Sequence, residues 1–294
     1  NFLKVNKFDF NKKLNTNKLS LNINKWIYSE LINTKNSAEK YIKNYRFDEA
    51  SRVIYKFVWN SYCDWYLELS KTILFSKNKT QIKEVKATST FVFKEILILL
   101  HPFIPFITEE LWLKNKLGNR KQKYLMHSNW LKNSKTLIDK ETADVKQVID
   151  VISKIRSFKN ELSMSPGSFI DISLQNVSKK KQKLFLNNEI MLKKLGRINS
   201  IFIKDSKNES TTLVISGEVF KIYFDKNVDL NLIKDNLIKK QGKLTKELES
   251  ISVKLDNKNF IERAPKHIVE QEKNTYNELI NDIDKINSTI KSFK

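Results

Sequence analysis

A mainly α-helical fold with one small α/β module is what this sequence predicts, and three observations predict it. Between residues 24 and 112 apolar side chains recur every three or four positions, with no glycine in the whole stretch. Between residues 169 and 224 the pattern shortens to brief alternating or apolar runs of strand length. From Leu230 onward apolar residues follow a heptad repeat that a turn at Pro265 splits into two arms. The expected architecture is an antiparallel helical bundle over 20–142, a small α/β module over 143–229 and a C-terminal antiparallel coiled-coil hairpin over 230–294. Residues 1–19, polar and asparagine-rich, read as the remnant of a preceding domain.

The elements follow in order. Asn24 is a plausible N-cap for a first helix whose apolar positions are Ile27, Leu31, Ala38, Tyr41 and Tyr45. A second helix is expected from about Asp48 to Thr72, with Ala50, Ile54, Phe57 or Val58, Tyr62, Trp65 and Leu69 as its buried stripe. Its aromatics are mostly core by this reading. Asp64, Glu68 and Lys71 share one face and can pair with each other, so no catalysis is assigned to them. A third helix covers roughly Thr80 to Leu100 and stops at Pro102 and Pro105, which cannot donate backbone hydrogen bonds. Phe103, Ile104, Phe106 and Ile107 are apolar enough that this turn should be buried. A fourth helix then starts with Glu109 and Glu110 in its first turn, where its dipole favours carboxylates, and with Leu111 and Trp112 as its first buried residues. Gly118–Lys123 reads as a basic loop, and Trp130 as packing back onto the bundle.

Beyond residue 143, Val145, Val148, Ile149, Ile152 and Ile155 make one more amphipathic helix that ends near Ser165-Pro166-Gly167. Four strands are expected at 169–174, 200–203, 213–216 and 219–224, with a lysine-rich helix, 179–195, closed by Gly196 as its C-cap. In the hairpin, Leu230, Ile233, Leu237, Leu244, Leu248, Ile251 and Leu255 face Val269, Tyr276, Leu279, Ile283, Ile286, Ile290 and Phe293, a 3–4 spacing broken by Glu272.

Composition narrows the function classes. A net charge of +21 points to a polyanionic partner, nucleic acid before an anionic membrane surface. The excess is concentrated early: residues 1–142 carry 26 basic and 13 acidic side chains. An AT-rich genome loading lysine on every surface is the bland alternative. A single cysteine, Cys63, excludes a disulfide framework and a cysteine zinc site, and His101, His127 and His267 show no ligand spacing. No metal site is expected. No apolar run approaches a membrane span, and no start methionine or signal pattern is present, so the chain reads as a piece of a longer protein.

The run His101–Trp112, HPFIPFITEELW, resembles the signature that closes the helical anticodon-binding domain of class I aminoacyl-tRNA synthetases for valine, isoleucine and leucine. Asn24-Lys25-Trp26-Ile27 resembles the Asp-Arg-Trp-Ile opening of that bundle. Two features resemble the valyl-tRNA synthetase family in particular. One is Cys63-Asp64-Trp65-Tyr66-Leu67-Glu68, preceded by Phe57 and Trp59. The other is the hairpin tip, with Asn257, Phe260, Ala264, Pro265, Val269 and Glu272.

The resemblance implies the tRNA-binding C-terminal part of a valine–tRNA ligase. Its full-length form would use ATP with magnesium, and its partners would be tRNA(Val) and its own N-terminal catalytic domain, with no membrane. A monomer and a cytoplasmic location are expected. The His-Ile-Gly-His and Lys-Met-Ser-Lys-Ser motifs of the catalytic site are absent, and Met164–Gly167 lacks the lysines of the latter. This chain is therefore expected to bind tRNA, hold no cofactor and contain no catalytic residue. Bundle candidates for tRNA contact are Lys43, Arg46, Arg52, Lys56, Asn60 and Lys71, chosen as polar positions on the first two helices. On the arm they are Lys239, Lys240, Lys243 and Lys246, which should face the outer corner of the tRNA. The competing readings are a non-enzymatic coiled-coil adaptor, another RNA-binding protein, or the corresponding part of the isoleucine or leucine enzyme.

Overall fold

The computed structural model describes residues 5, 6, 8, 10, 14–118, 123–130, 140–204, 210–224, 230–257, 260 and 265–292. Two compact units emerge, Asn1–Val151 with Asn187–Leu195 and Ile152–Leu186 with Gly196–Lys294.

The first unit is a helical bundle. Helix α1 spans Asn22–Lys43. A second rod follows in three parts: α2, Phe47–Lys56, a π-helical segment, Phe57–Tyr66, and α3, Leu67–Leu74. Helix α4, Lys79–Leu100, starts at Asn78, whose side chain accepts from the N–H groups of Thr80 and Gln81. Helix α5, Pro105–Lys114, has its proline at the first position, where a missing N–H costs nothing. The core joins Ile27 and Leu31 of α1, Ile54, Phe57, Tyr62, Tyr66 and Leu69 of the second rod, and Val85, Val92 and Ile96 of α4. Helix α6, Lys140–Glu161, adds Val145 and Ile149 to this core, and Lys146 pairs with Glu30 at 2.7 Å. Trp130 packs against the same core, as expected.

Several sequence expectations are corrected here. Asn24 is not the N-cap: it lies inside α1, fully buried, where its Nδ2 donates to Glu84 and its Oδ1 accepts from the Tyr66 hydroxyl at 2.8 Å. Glu84 accepts from the N–H groups of Ser20 and Leu21, just ahead of α1, and no side chain caps the first turn itself. In the second rod the π segment widens the turn, so burial steps five residues from Phe57 to Tyr62. It then falls on Tyr66, with Trp65 only partly buried.

The proline corner is the largest correction. Ile104, Phe106 and Ile107 are 45%, 90% and 52% exposed, and only Phe103 turns inward. Helix α5 buries Thr108 and Trp112, one turn apart; at 100° per residue, Phe106 must then point away from that face. Glu109 lies in the second turn of α5, not the first, and its carboxylate accepts from the N–H groups of Leu125 and Met126. Trp112 Nε1 donates to Lys123 O at 3.2 Å. Most of the expected basic loop, residues 119–122, lies outside the described residues.

The second unit contains a four-stranded mixed sheet in the order β2-β1-β4-β3, formed by β1 (Ile170–Ser173), β2 (Ile198–Phe202), β3 (Thr211–Ile215) and β4 (Glu218–Phe224). Strand β1 pairs parallel with β2 and antiparallel with β4. The β3–β4 hairpin turns on Ser216 and Gly217, with φ of 49° and 78°, the left-handed pair that a two-residue turn requires. The expected single lysine-rich helix is two, α7 (Lys179–Asn187) in this unit and α8 (Glu189–Gly196), nearly all of which belongs to the first unit and starts afresh at Asn188, whose carbonyl accepts from the Met191 and Leu192 N–H groups. Gly196 is not the left-handed cap either. Arg197 takes that conformation, φ 53°, and a Cβ on Gly196 would meet Ile198 Cδ1 at 2.9 Å. The buried Lys159 ammonium donates to Ser168, Gly196 and Arg197 carbonyls, each at 2.9 Å.

Helices α9 (Leu230–Asp256) and α10 (Lys266–Ser292) form the hairpin. Ile233, Leu237 and Ile251 on one arm, and Val269, Leu279 and Ile286 on the other, are buried as the heptads require. Glu272, which breaks the pattern, pairs with Lys254 at 3.3 Å, and Gln241 Nε2 donates to Asn287 Oδ1 at 2.8 Å. The tip residues 258, 259 and 261–264 lie outside the described residues.

Candidate nucleic-acid interface

Helix α2 and the start of the π segment carry a face on which Arg52, Tyr55, Lys56, Trp59 and Asn60 are all exposed. Their spacing, i, i+3, i+4, i+7 and i+8, is what a helix puts on one side. Tyr55 and Trp59, 64% and 56% exposed, stack with ring centroids 6.3 Å apart and planes 11° from parallel. Two aromatic rings, two cations and an amide are thus presented together to solvent. Unpaired bases stack on such rings while cations neutralise the adjoining phosphates.

The sequence selected Arg52, Lys56 and Asn60 from this face and missed Tyr55 and Trp59, because the aromatics were assigned to the core. That assignment holds for Phe57, Tyr62 and Tyr66, which are buried. The periodicity did contain the signal, since Tyr55 and Trp59 fall between the buried positions.

The other bundle candidates are tied to carboxylates of their own helices. Lys43 bonds Glu39 at 2.8 Å. Glu49 bridges Arg46, at 3.0 Å, and Arg52, and this carboxylate raises the Arg52 pKa further above its ordinary value. Lys71 pairs with Glu68 on α3, outside the Arg52–Asn60 face. Lys56 and Asn60 have no such partner among the described residues.

On the arm, Lys239, Lys240, Lys243 and Lys246 are all exposed along α9. Among the described residues none has an acidic partner. No helix of the described residues is long and apolar enough to cross a membrane, and none of their His, Cys, Asp and Glu side chains form a group that could hold a metal.

Comparison with known proteins gives this geometry a context. Residues 24–174 match the family described as the anticodon-binding domain of tRNA ligase, and residues 229–294 match the valyl tRNA synthetase tRNA binding arm. The valine–tRNA ligase of Pelagibacter ubique is 56% identical over 293 residues, covering 99% of this chain and 33% of that protein. That of Bartonella quintana is 33% identical over 279 residues, covering 95% and 31%, and that of Aquifex aeolicus 30% over 280 residues, covering 91% and 24%. The chain spans a third or less of the length of these relatives. With an anticodon-binding domain over its first half and a valyl-type tRNA-binding arm at its end, the chain belongs to the valyl-tRNA synthetase family of tRNA ligases.

Proposed function

We propose that this chain is the tRNA-binding part of a valine–tRNA ligase, whose catalytic part, on sequence outside this chain, joins valine to tRNA(Val) with ATP and magnesium. The bundle, assigned to residues 20–142, takes the anticodon region. The hairpin, 230–294, takes the outer corner of the tRNA, and the module between them, 143–229, links the two. The chain acts as a monomer in the cytoplasm, beside its own catalytic domain. None of its residues is assigned to ATP: with five glycines it offers no glycine-rich phosphate loop.

The observation that carries this reading is the exposed Arg52–Tyr55–Lys56–Trp59–Asn60 face. A core-only role leaves two large aromatics in water unexplained, whereas single-stranded RNA uses both the rings and the charges. Filter binding of the purified chain to valine tRNA and to an unrelated tRNA, at two salt concentrations, tests it. Tyr55→Ala and Trp59→Ala should each weaken valine-tRNA binding by about 1–3 kcal/mol. Because both rings are exposed, stability should change by less than about 0.5 kcal/mol. Weak binding that ignores tRNA identity and both substitutions would favour the coiled-coil adaptor instead.

A further inference from the structure

The second rod of the bundle carries two apolar registers that disagree by one residue. On its N-terminal side the buried residues are Ala50, Ile54 and Phe57; on its C-terminal side they are Tyr62, Tyr66, Leu69 and Ile73. Each set follows the helical period by itself. Carried forward from Phe57, that period would turn Asn60 or Ser61 inward; carried back from Tyr62, it would turn Val58 or Trp59 inward. The π segment, Phe57–Tyr66, absorbs the mismatch, and at its end the Leu67 N–H reaches five residues back to Tyr62 O. The consequence falls on Trp59. An indole that a continuous α-helix would draw toward the core stays 56% exposed, stacked on Tyr55.

A wide turn must be held against relaxation. Tightening it to an α-helix would restore the commoner hydrogen-bond ladder and bury apolar indole surface, both favourable. Apolar packing alone does not set the register, because it is non-directional. Two hydroxyls do. Tyr66 Oη donates to Asn24 Oδ1 of α1 at 2.8 Å and accepts from Ser89 Oγ of α4 at 3.4 Å. Tyr62 Oη donates to the Ser89 carbonyl at 3.2 Å. Asn24 is itself fixed by donating to Glu84 of α4 at 2.9 Å. Both phenols are buried, with their rings stacked at a centroid distance of 5.8 Å. A slip of one residue would strand both hydroxyls in the core without these partners, which is costly.

We propose that Tyr62 and Tyr66 are positioning residues for RNA binding: their hydroxyls lock the π register that keeps Trp59 outside the core and stacked on Tyr55. The inference rests on the reading of the Arg52–Asn60 face as a stacking platform and says what sets that platform's geometry. Neither phenol is exposed, so neither touches RNA; each acts through the stretch of π backbone that joins it to Trp59. Phenylalanine at either position would fill the same space and leave the register free to slip. It would also avoid the desolvation of a buried hydroxyl, so packing alone does not account for a tyrosine at both places.

Fluorine NMR of the whole chain labelled with fluorotryptophan tests the lock without RNA, with Trp59→Phe assigning the Trp59 signal. In the wild type a soluble paramagnetic agent should broaden that signal. Tyr62→Phe and Tyr66→Phe should shift it and reduce the broadening, while the buried Trp26 and Trp112 keep their signals, which a general loosening would not allow. In tRNA binding, Trp59→Ala should cost roughly 5- to 100-fold in affinity, and Tyr66→Phe about threefold or more. Added to Trp59→Ala, either hydroxyl variant should cost less than about twofold further, because residues that act through one group are not additive. Circular dichroism verifies folding; if Tyr66→Phe does not fold, Tyr62→Phe, which leaves Asn24 paired, carries the test. An unmoved Trp59 signal in a folded hydroxyl variant, or additive losses of affinity, overturns the lock. A signal that moves while Trp59→Ala binds tRNA as well as the wild type overturns the stacking platform instead, and with it any RNA role for the lock.

Discussion

Glu95 sits on α4 inside the bundle, 8% exposed, and burial pushes its pKa up to about 7 against the pull of Lys35 and Lys94. Lys35, wholly buried on α1, is lowered by the same desolvation while Glu39 and Glu95 oppose it. Lys35 Nζ and Glu95 Oε2 attract each other through the interior without a hydrogen bond to any described group. The folded chain therefore binds more protons at Glu95 than the unfolded chain between pH 4.5 and about 7. The stabilisation from this carboxyl is complete below its unfolded pKa and is lost as pH rises through 7, on the order of 3 kcal/mol. Urea denaturation at pH 5 and pH 8 should show that loss in the wild type, with Glu95→Gln removing most of it. An unchanged pH slope in the variant would reject the assignment. Glu84 works in the opposite sense. Burial alone would raise it, but hydrogen bonds from Ser20, Leu21 and Asn24 hold it below the ordinary carboxylate range. Neither role was legible in the sequence. The apolar run 91–100 told of a buried helix, but which of its polar residues turns inward depends on neighbours far away in the chain.

Helix ends show the same limit at the next scale. Three helices finish in a paired hydrogen-bond motif whose left-handed residue is not glycine: Tyr45 after α1, Lys116 after α5 and Ser163 after α6, with φ of 57°, 52° and 53°. In each, the following N–H reaches back five residues: Arg46 to Tyr41, Leu117 to Trp112 and Met164 to Lys159. A reading that looks for glycine at helix ends finds none of these, so the rods were legible from their apolar period and their caps were not. The π segment was missed for a related reason, since a strict 3.6-residue period carries burial to Trp65 where the wider turn delivers Tyr66. Left-handed geometry costs about 1–2 kcal/mol for an ordinary side chain, of which the greater backbone entropy of glycine returns part. Lys116→Gly and Ser163→Gly should each stabilise the chain by about 0.5–1 kcal/mol, measured as a higher thermal midpoint with tRNA affinity unchanged. Tyr45→Gly should stabilise as well but weaken RNA binding, because it removes an exposed aromatic ring from a segment that also exposes Lys43 and Arg46. If all three substitutions behaved alike in binding, strain at Tyr45 would have no functional meaning.

Across the whole molecule, the net charge of +21 is distributed unevenly in kind as well as in amount. The first 142 residues hold the larger excess, but Lys43, Arg46, Arg52 and Lys71 already share Glu39, Glu49 and Glu68. A phosphate that takes one of these cations must displace a carboxylate, which reduces the number of condensed counterions released per ion pair formed. The arm carries less excess, yet Lys239, Lys240, Lys243 and Lys246 stand exposed and without acidic partners among the described residues. The heptad pattern made much of this surface legible in advance: once Ile233, Leu237, Leu244 and Ile251 are assigned inward, Lys239, Lys243 and Lys246 fall outward. Lys240, by contrast, lies on the strict 3–4 spacing and is exposed because Gln241 takes the seam beside Asn287. The ion pairs of the bundle were less legible, because many i, i+3 and i, i+4 pairs are possible and the sequence does not rank them. The salt dependence of tRNA binding should therefore be set more by the arm than by the bundle. Replacing the four arm lysines by glutamine should flatten the slope of log K against log salt by roughly 0.7–0.9 for each phosphate that is no longer neutralised. Replacing Lys43, Arg46, Arg52 and Lys71 by glutamine should flatten it less, while lowering affinity mainly through poorer positioning on the bundle. Titrations of the two quadruple variants at four salt concentrations separate these outcomes. Equal slopes in both would mean that the carboxylates of the bundle do not compete with RNA, and a larger flattening in the bundle variant would place the main phosphate track there instead.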